Sequence, residues 1–155
     1  GAVLGTFGVE RHRVVWRGQA AHAGSTPMDQ RRDALAGASK LALDLRHIAE
    51  RAGAGAVCTS GDVVCHPGIV TSVVETAEQL LDQRHLDAGT LASMLEDAKE
   101  RSLQFADEED PEVDFERLWN IEPILFDGRN LYEPSLMARQ GVRYFAIGRG
   151  ERLGD

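Results

Sequence analysis

Residues 78–105 read EQLLDQRHLDAGTLASMLEDAKERSLQF and predict a β-strand that leads directly into an α-helix. Side chains alternate along Glu78–His85, so that one face carries Leu80, Asp82 and Arg84 and the other carries Leu81, Gln83 and His85. Asp87 is placed to cap the helix. An apolar stripe follows the 3.6-residue period of that helix and consists of Leu91, Leu95, Ala98, Ser102 and Phe105. Pro111 is expected to end the helix, because proline lacks a backbone N–H.

The residues before this stretch predict another helix between two strands. Arg11–Gly18 alternates like a strand, and Ala56–His66 is a further strand that Pro67-Gly68 closes. The intervening helix is expected to begin with Thr26 as its cap, Pro27 at its first position and Asp29 in a capping-box contact. Its stripe repeats at helical spacing through Leu41, Leu45, Ile48 and Ala52, with Leu35 and Ala38 on a related face. Gly53 and Gly55 are expected to end it.

A fourth strand completes the predicted domain. Its alternating apolar side chains are Val113, Phe115, Trp119 and Ile121. The order is β-α-β-β-α-β, which predicts an α+β fold, a ferredoxin-like sandwich with an antiparallel sheet and two helices on one face. We assign residues 1–123 to this domain and residues 124–155 to an appended β-α-β tail, with strands at Ile124-Leu125-Phe126 and Arg143–Ile147 around a helix at Pro134–Arg139.

Composition excludes several classes of protein. Hydrophobic residues make up 43% of the 155 and charged residues 27%, which is ordinary for a globular domain. No apolar run approaches the roughly 18 residues that cross a bilayer, and a net charge of −8 argues against nucleic acid. Cys58 and Cys65 would lie roughly 23 Å apart on one strand, too far for a disulfide. Free thiols favour the cytoplasm, so we predict a cytoplasmic protein with no membrane or nucleic-acid partner.

Motifs that would support catalysis by this sequence alone are not found in it. None of the 5 histidines belongs to an HxxxH or HExxH pattern, and no GxSxG, Walker or GxGxxG motif occurs. Three positions remain of interest. His22 follows a strand end; it is either an ordinary histidine of a surface loop or a residue that contacts a ligand. Arg84 either forms a surface ion pair or binds a carboxylate through two N–H groups of its guanidinium. Thr71 and Ser72 belong to an ordinary loop, or they line a pocket.

Several ordered motifs resemble the lid domain of N-carbamoyl-L-amino-acid amidohydrolases, the group that includes allantoate amidohydrolase and β-ureidopropionase. They are GQAAHAGSTPM at residues 18–28 with RDAL at 32–35, PGIVTSVV at 67–74, LDQRHLD at 81–87 and IEPILFD at 121–127. The resemblance covers about residues 1–127. It implies a lid that is inserted into a two-metal catalytic domain and that pairs with a second lid in a homodimer.

The resemblance also implies roles for individual residues. His22 matches the family's lid histidine, which stabilises the tetrahedral oxyanion, and Arg84 matches the arginine that grips the substrate α-carboxylate. Thr71 and Gln19 are expected to contact substrate, although many relatives carry Asn at the position of Thr71. The two divalent ions, zinc, manganese or similar, belong to the catalytic domain, so no cofactor and no metal ligand are expected in this chain. We therefore predict a non-catalytic dimerisation and lid module separated from its catalytic domain.

The tail, about residues 124–149, resembles the C-terminal end of UDP-glucose dehydrogenases through FDGRNLYEP at 126–134 and GVRY at 141–144. A chain that carries both sets of motifs is expected to be a chimera joined near Phe126-Asp127. Two alternatives stay open. The chain is an enzyme fragment that is active only when a catalytic domain complements it, or it binds a nucleotide sugar through the tail.

Overall fold

The computed structural model describes residues 8–118, 124–127 and 143–146, and its elements follow the predicted order. The strands are β1 Gly8–Arg17, β2 Ala21–His22, β3 Val57–His66, β4 Ser72–Val73, β5 Thr76–His85, β6 Glu112–Arg117, β7 Ile124–Asp127 and β8 Arg143–Ala146. The helices are α1 Ala34–Ala52 and α2 Ala88–Glu109, and a 3-10 helix spans Met28–Gln30. The short strands β2 and β4 were not predicted, because two residues give no detectable alternation.

The main sheet has the strand order β3-β5-β1-β6. Each neighbouring pair is antiparallel, with Val14 opposite Gln79 of β5 and Phe115 of β6. Helix α1 connects β1 to β3 along the chain, and α2 connects β5 to β6. This arrangement confirms the predicted β-α-β-β-α-β order and is compatible with a ferredoxin-like α+β domain.

One face of the sheet packs against both helices and forms the core. Val14 and Trp16 of β1 and Ala77 and Leu81 of β5 are buried there against residues of α1 and α2, among them Ala38, Leu41, Leu45, Ile48, Met94, Ala98 and Phe105. Gly37 of α1 lies directly over Trp16, and a Cβ atom on Gly37 would sit 2.6 Å from Cε3 of the indole. The absence of a side chain at Gly37 therefore lets α1 approach the sheet closely.

The predicted start of α1 was wrong. The helix begins at Ala34 rather than near Pro27, and its cap is Asp33, whose carboxylate accepts from the backbone N–H groups of Leu35 and Ala36. Thr26 and Asp29 cap nothing; Met28–Gln30 form a single 3-10 turn with no side-chain cap. The following residues bond elsewhere, since Arg32 O accepts from Gln19 N at 2.8 Å and Ala34 N donates to Val74 O at 3.1 Å. These long-range backbone bonds hold the segment extended until Asp33.

The second helix largely follows the prediction. Asp87 caps it by accepting from Thr90 N, and Asp110 ends it in the left-handed conformation directly before Pro111. The buried stripe contains Met94, which is 1% exposed, where Leu95 was expected, and Leu95 is half-buried. In α1, Leu35 is 38% exposed and so lies outside the core, whereas the predicted Leu41, Leu45 and Ile48 are buried.

The chain divides into two units, residues 1–117 and 118–155. In the second unit, β7 and β8 pair in parallel with Phe126 opposite Phe145, which agrees with the two predicted tail strands. The predicted helix at Pro134–Arg139 lies outside the described residues, as do Trp119 and Ile121 of the predicted fourth strand. Within the part of the chain that the structure describes, no helix is long and apolar enough to cross a membrane.

Candidate functional site

His22 and Thr71 are brought together by the short ribbon that β2 and β4 form. His22 lies opposite Ser72 in this ribbon, and Ala23 N donates to Thr71 O at 2.9 Å. Both His22 and Thr71 are exposed, whereas Val73 on β4 is buried. The ribbon therefore presents the two residues to the surroundings on a backbone that is anchored in the domain. Thr71 contributes a backbone carbonyl to this arrangement.

The imidazole of His22 has a defined hydrogen-bonding role. Its Nδ1 atom accepts from the backbone N–H of Gly24 at 3.1 Å. A nitrogen that accepts cannot carry a proton, so the neutral ring carries its proton on Nε2. The exposed ring thus offers an Nε2–H donor, which is the group that an oxyanion requires.

Gln19 lies between β1 and β2, and the sequence placed it among the substrate contacts. Its backbone N–H donates to Arg32 O, and the residue is exposed. Gly18, next to Gln19, lies directly against the same carbonyl. A Cβ atom added at position 18 would be only 1.9 Å from Arg32 O, so a side chain there would collide with it. The strand end is thereby fixed against the segment that precedes α1, close in sequence to His22.

Arg84 lies near the other end of β5, on the sheet face that the helices do not cover. Its Nε donates to Asp82 Oδ1 at 2.6 Å and its Nη2 to Asp82 Oδ2 at 3.2 Å. Arg11 of β1 donates to the same carboxylate at 2.8 Å. Burial pushes the pKa of Asp82 upward, but the bonds from Arg84 and Arg11 outweigh it and hold that pKa below the usual value. The ion-pair interpretation of Arg84 is therefore confirmed.

A shallow depression surrounds the Arg84 guanidinium and is lined by Val57, Thr59, Asp82 and Arg84. Val57 stands directly opposite Arg84 in the β3–β5 register and is 49% exposed. Only one edge of the guanidinium, Nε and Nη2, faces Asp82. The depression combines an apolar wall with a cation whose position is set by a neighbouring carboxylate, which suits a small anionic ligand with an apolar part.

The candidate residues do not form one site within one copy of the chain. Arg17 at the end of β1 lies opposite Thr76, and the β2–β4 ribbon that carries His22 continues beyond that end of β5. Arg84 is eight residues further along β5 from Thr76, which corresponds to roughly 26 Å of strand at about 3.3 Å per residue. The structure brings together His22 and Thr71 and leaves Arg84 at the opposite end of the sheet.

Neither the cysteines nor the acidic residues form a metal site in the described residues. No group of three or more His, Cys, Asp or Glu side chains there could hold a metal ion. Cys58 and Cys65 both lie on β3 as free thiols, and burial raises the pKa of each above its usual value. Because the described part of the chain supplies no converging donors, we assign no metal-dependent step to it.

Two residues of the His22 loop were missed by sequence analysis. Arg31 donates to Ala23 O at 2.7 Å and to Thr26 O at 3.0 and 3.1 Å, and Gly24 donates to His22 as described above. Arg31 stands beside Arg32 in the sequence, and local patterns do not distinguish the two. The sequence His22-Ala23-Gly24 indicated a turn, but it did not indicate that the Gly24 N–H donates to the His22 ring.

Comparison with known proteins relates the chain to amidohydrolases. No protein-family model matches it. Allantoate amidohydrolase from Escherichia coli (strain K12) is 31% identical over 124 residues, which is 80% of this chain and 30% of that protein. N-carbamoyl-L-amino acid amidohydrolase from Geobacillus stearothermophilus is 32% identical over 125 residues, which is 81% of this chain and 30% of that protein.

A solved structure supports the same relationship. The crystal structure of an amidase of the hydantoinase/carbamoylase family from Burkholderia multivorans matches with a TM-score of 0.71 and 27% identity, over 92% of this chain and 35% of that one. The chain thus spans 30% of the length of the curated relatives described above. These homologues support a place for the chain in the amidohydrolase family, as a segment that covers only part of each relative.

Proposed function

We propose that this chain is the lid and dimerisation module of a two-metal amidohydrolase that acts on N-carbamoyl amino acids or related linear amides. The observation that carries the proposal is the pair of coverages, 80% of this chain against 30% of allantoate amidohydrolase. Most of the chain therefore corresponds to less than a third of an enzyme. A catalytic domain would supply the metal ions and the general base, since no metal-ligand group occurs among the residues that the structure describes.

In this proposal His22 donates its Nε2–H to the oxyanion that forms when water attacks the scissile carbonyl. The Gly24 N–H at 3.1 Å from Nδ1 leaves the ring with that donor available. Removing one oxyanion donor typically lowers kcat by about 100- to 1,000-fold. Thr71 and Gln19 lie on the same side of the domain as His22 and are proposed to contact the substrate there.

Arg84 is proposed to hold the α-carboxylate of a substrate. A guanidinium binds a carboxylate through parallel N–H groups, and Arg84 is exposed and oriented by Asp82. Arg84 and His22 are too far apart in one copy for a small substrate to touch both. If both act in one reaction, one copy supplies the histidine and a second copy supplies the arginine. The lid function and dimerisation therefore depend on each other.

The sheet offers a surface for such pairing. Within the described residues β3 is an edge strand of the sheet, ten residues long, and it exposes Val57 at 49% and Val64 at 47%. An edge strand presents unpaired backbone groups that a second chain can extend. The edge strands or the first helices of two copies would pair across a twofold axis.

Complementation tests the proposal. The chain is mixed with a lid-deleted catalytic domain of an amidohydrolase in the presence of zinc or manganese, and hydrolysis of an N-carbamoyl amino acid is measured. We expect activity above that of the catalytic domain alone, and we expect His22→Gln or Arg84→Ala to abolish the gain. Activity that is unchanged by the chain, in a mixture where binding of the two partners is demonstrated, would overturn the proposal. Lys99→Ala, on α2 in an exposed pair with Glu96, is the matched control.

The origin of the tail remains a prediction. The sequence matches to the curated relatives extend over 124 and 125 residues, 80% and 81% of this chain, and the wider coverage by the Burkholderia multivorans amidase is a likeness of structure. The proposed junction near Phe126-Asp127 therefore rests on the resemblance of the tail motifs to UDP-glucose dehydrogenases. Sequencing the source gene tests it, since a domain of one parent gene should not carry both sets of motifs.

A further inference from the structure

The loop that carries His22 is closed by hydrogen bonds at several points. His22 O accepts from Ser25 N at 3.3 Å and from Thr26 N at 3.1 Å. Arg31 lies half-buried beside the loop, and its guanidinium donates to the carbonyls of Ala23 and Thr26. One planar group thus joins the two ends of the turn that follows His22, which a side chain with a single donor position cannot do.

We propose that Arg31 and Gly24 are positioning residues for His22. Arg31 holds the turn, the turn places the Gly24 N–H against Nδ1, and that bond fixes both the orientation of the ring and the proton on Nε2. The inference rests on the proposed function for its catalytic meaning. The arrangement itself is a property of this chain, and it can be measured without a catalytic domain.

The chemistry explains why the tautomer matters. A neutral imidazole with its proton on Nδ1 would turn a lone pair toward an oxyanion and repel it, whereas the Nε2–H tautomer donates. The Gly24 bond selects the donating form, because a backbone N–H cannot accept. Protonation of the ring removes the Nδ1 lone pair, so the Gly24 bond exists only with the neutral ring.

Space around the ring supports the same assignment. A Cβ atom on Gly24 would lie 3.1 Å from Cε1 and 3.5 Å from Nδ1 of His22. The contact with Cε1 is closer than ordinary van der Waals contact, so a Cβ at position 24 would require the ring to shift by a few tenths of an ångström. Glycine at this position therefore permits the short approach that the hydrogen bond needs.

Nuclear magnetic resonance on the full chain tests the proposal. Isotope-labelled histidine reports which ring nitrogen of His22 carries the proton, and scalar coupling across the hydrogen bond reports the contact between the Gly24 amide and Nδ1. We expect Nδ1 to be unprotonated in the neutral ring, and we expect a measurable coupling between the Gly24 amide and Nδ1. The His22→Gln variant assigns the signals and should abolish the coupling.

The neighbouring arginines provide matched variants. Arg31→Gln should lose the coupling between Gly24 and His22 and move the ring toward the tautomer mixture of free histidine. Arg32→Gln should retain the wild-type pattern, because Arg32 donates to Asp110 O at the end of α2 and not to the loop. Arg31→Lys keeps the charge without the fork, and Gly24→Ala keeps the N–H but crowds the ring; both should weaken the coupling.

A wild-type ring that carries its proton on Nδ1, or an Arg31→Gln variant that retains full coupling, would overturn the proposal. If Arg31→Gln does not fold, the tautomer of the wild-type ring and the coupling in Gly24→Ala still test the proposal. None of these readouts uses amidase activity. A failed complementation would therefore count against the proposed function alone, and a lost Gly24 bond would count against this positioning alone.

Discussion

The two faces of the main sheet are built from alternate residues of the same strands and differ in what they hold. On the covered face, Val14, Trp16 and Leu81 are almost fully buried under the helices. On the open face, Arg11 and Arg13 of β1 pair with acidic residues of both neighbouring strands, Asp82 and Glu78 of β5 and Glu116 of β6. The covered face forms the hydrophobic core, and we expect the ion pairs of the open face to contribute little stability.

Polar groups occur on the covered face as well, and several of their atoms have partners there, whereas Gln83 Oε1 and His12 Nδ1 are buried without a hydrogen bond among the described residues. Gln79 is fully buried and accepts from Trp16 Nε1 at 3.3 Å while donating to Ser60 Oγ at 3.0 Å. Gln83, also fully buried, donates to the backbone carbonyl of Met94 at 3.0 Å. A buried amide without partners would destabilise the fold. The two faces therefore differ in how deeply their polar groups are buried, not in polarity alone.

Removing the central side chain of the covered face should have the largest effect. Trp16→Ala opens a cavity under Gly37 and strands the buried Gln79 carbonyl, so we expect a loss of about 3–5 kcal/mol in the free energy of unfolding. Denaturant unfolding measures it. Trp16→Phe, which keeps a ring but not the N–H, should cost less. A loss below about 1 kcal/mol for Trp16→Ala would refute the view that this face holds the fold.

The ion pair between the helices should rank second. Asp44, 9% exposed, accepts from Arg101 Nε at 2.7 Å, and the Arg101 guanidinium stacks 4.7 Å from the Phe105 ring centre. Asp44→Ala should lower the free energy of unfolding by about 1.5 kcal/mol, since the bond is charge-assisted and largely shielded from water. The more exposed pair of Arg51 and Asp97 is the control, and equal losses from Asp44→Ala and Asp97→Ala would contradict this.

A buried histidine on the covered face of β1, His12, also makes the free energy of unfolding depend on pH. His12 is 3% exposed; burial lowers its pKa below the usual value, Glu10 opposes that shift, and Arg117 and Lys99 add to it. Because the folded-state pKa lies below the unfolded one, the unfolded chain binds the proton more readily, and stability falls as the pH drops below about 6.5.

Thermal unfolding at a series of pH values checks this dependence. His12→Gln should flatten the part of the curve that His12 causes. An identical pH dependence in wild type and His12→Gln would show that the buried histidine is not responsible.

On the open face, Arg13→Gln should have a small effect despite its two ion pairs. Arg13 contacts Glu78 at 3.4 Å and also Glu116, with both carboxylates well exposed. Such pairs contribute little in water and less at high salt, so the melting temperature should fall by less than about 3 °C, and by still less in 1 M salt. A larger fall that persists in salt would mean that the open face also holds the fold.

The smallest change in stability is expected from Arg84→Ala. Asp82 keeps its bond to Arg11 when Arg84 is removed, so the melting temperature should shift by less than about 2 °C. The effect should appear instead as the loss of complementation described above. A large fall in melting temperature would make Arg84 a structural residue and would remove it from the proposed site.

Much of this fold could be predicted from alternation and helical spacing. The strands around Trp16 and Leu81 and the Asp87 cap follow from local patterns, because a strand face and a helix cap each depend on nearby residues. The start of α1 could not be predicted, since Ala34 and Arg32 bond to the distant Val74 and Gln19. For the site, sequence motifs pointed to His22 and Arg84. The supporting contacts of Arg31, Gly24 and Arg11 depend on loop geometry and strand register.

The central claim, that this chain pairs as a lid module, is tested most directly by its molar mass in solution, measured by light scattering over a series of concentrations. We predict twice the mass of one chain, with dissociation only on dilution. The mass of a single chain at every concentration would contradict the claim, because His22 and Arg84 could then never meet at one substrate.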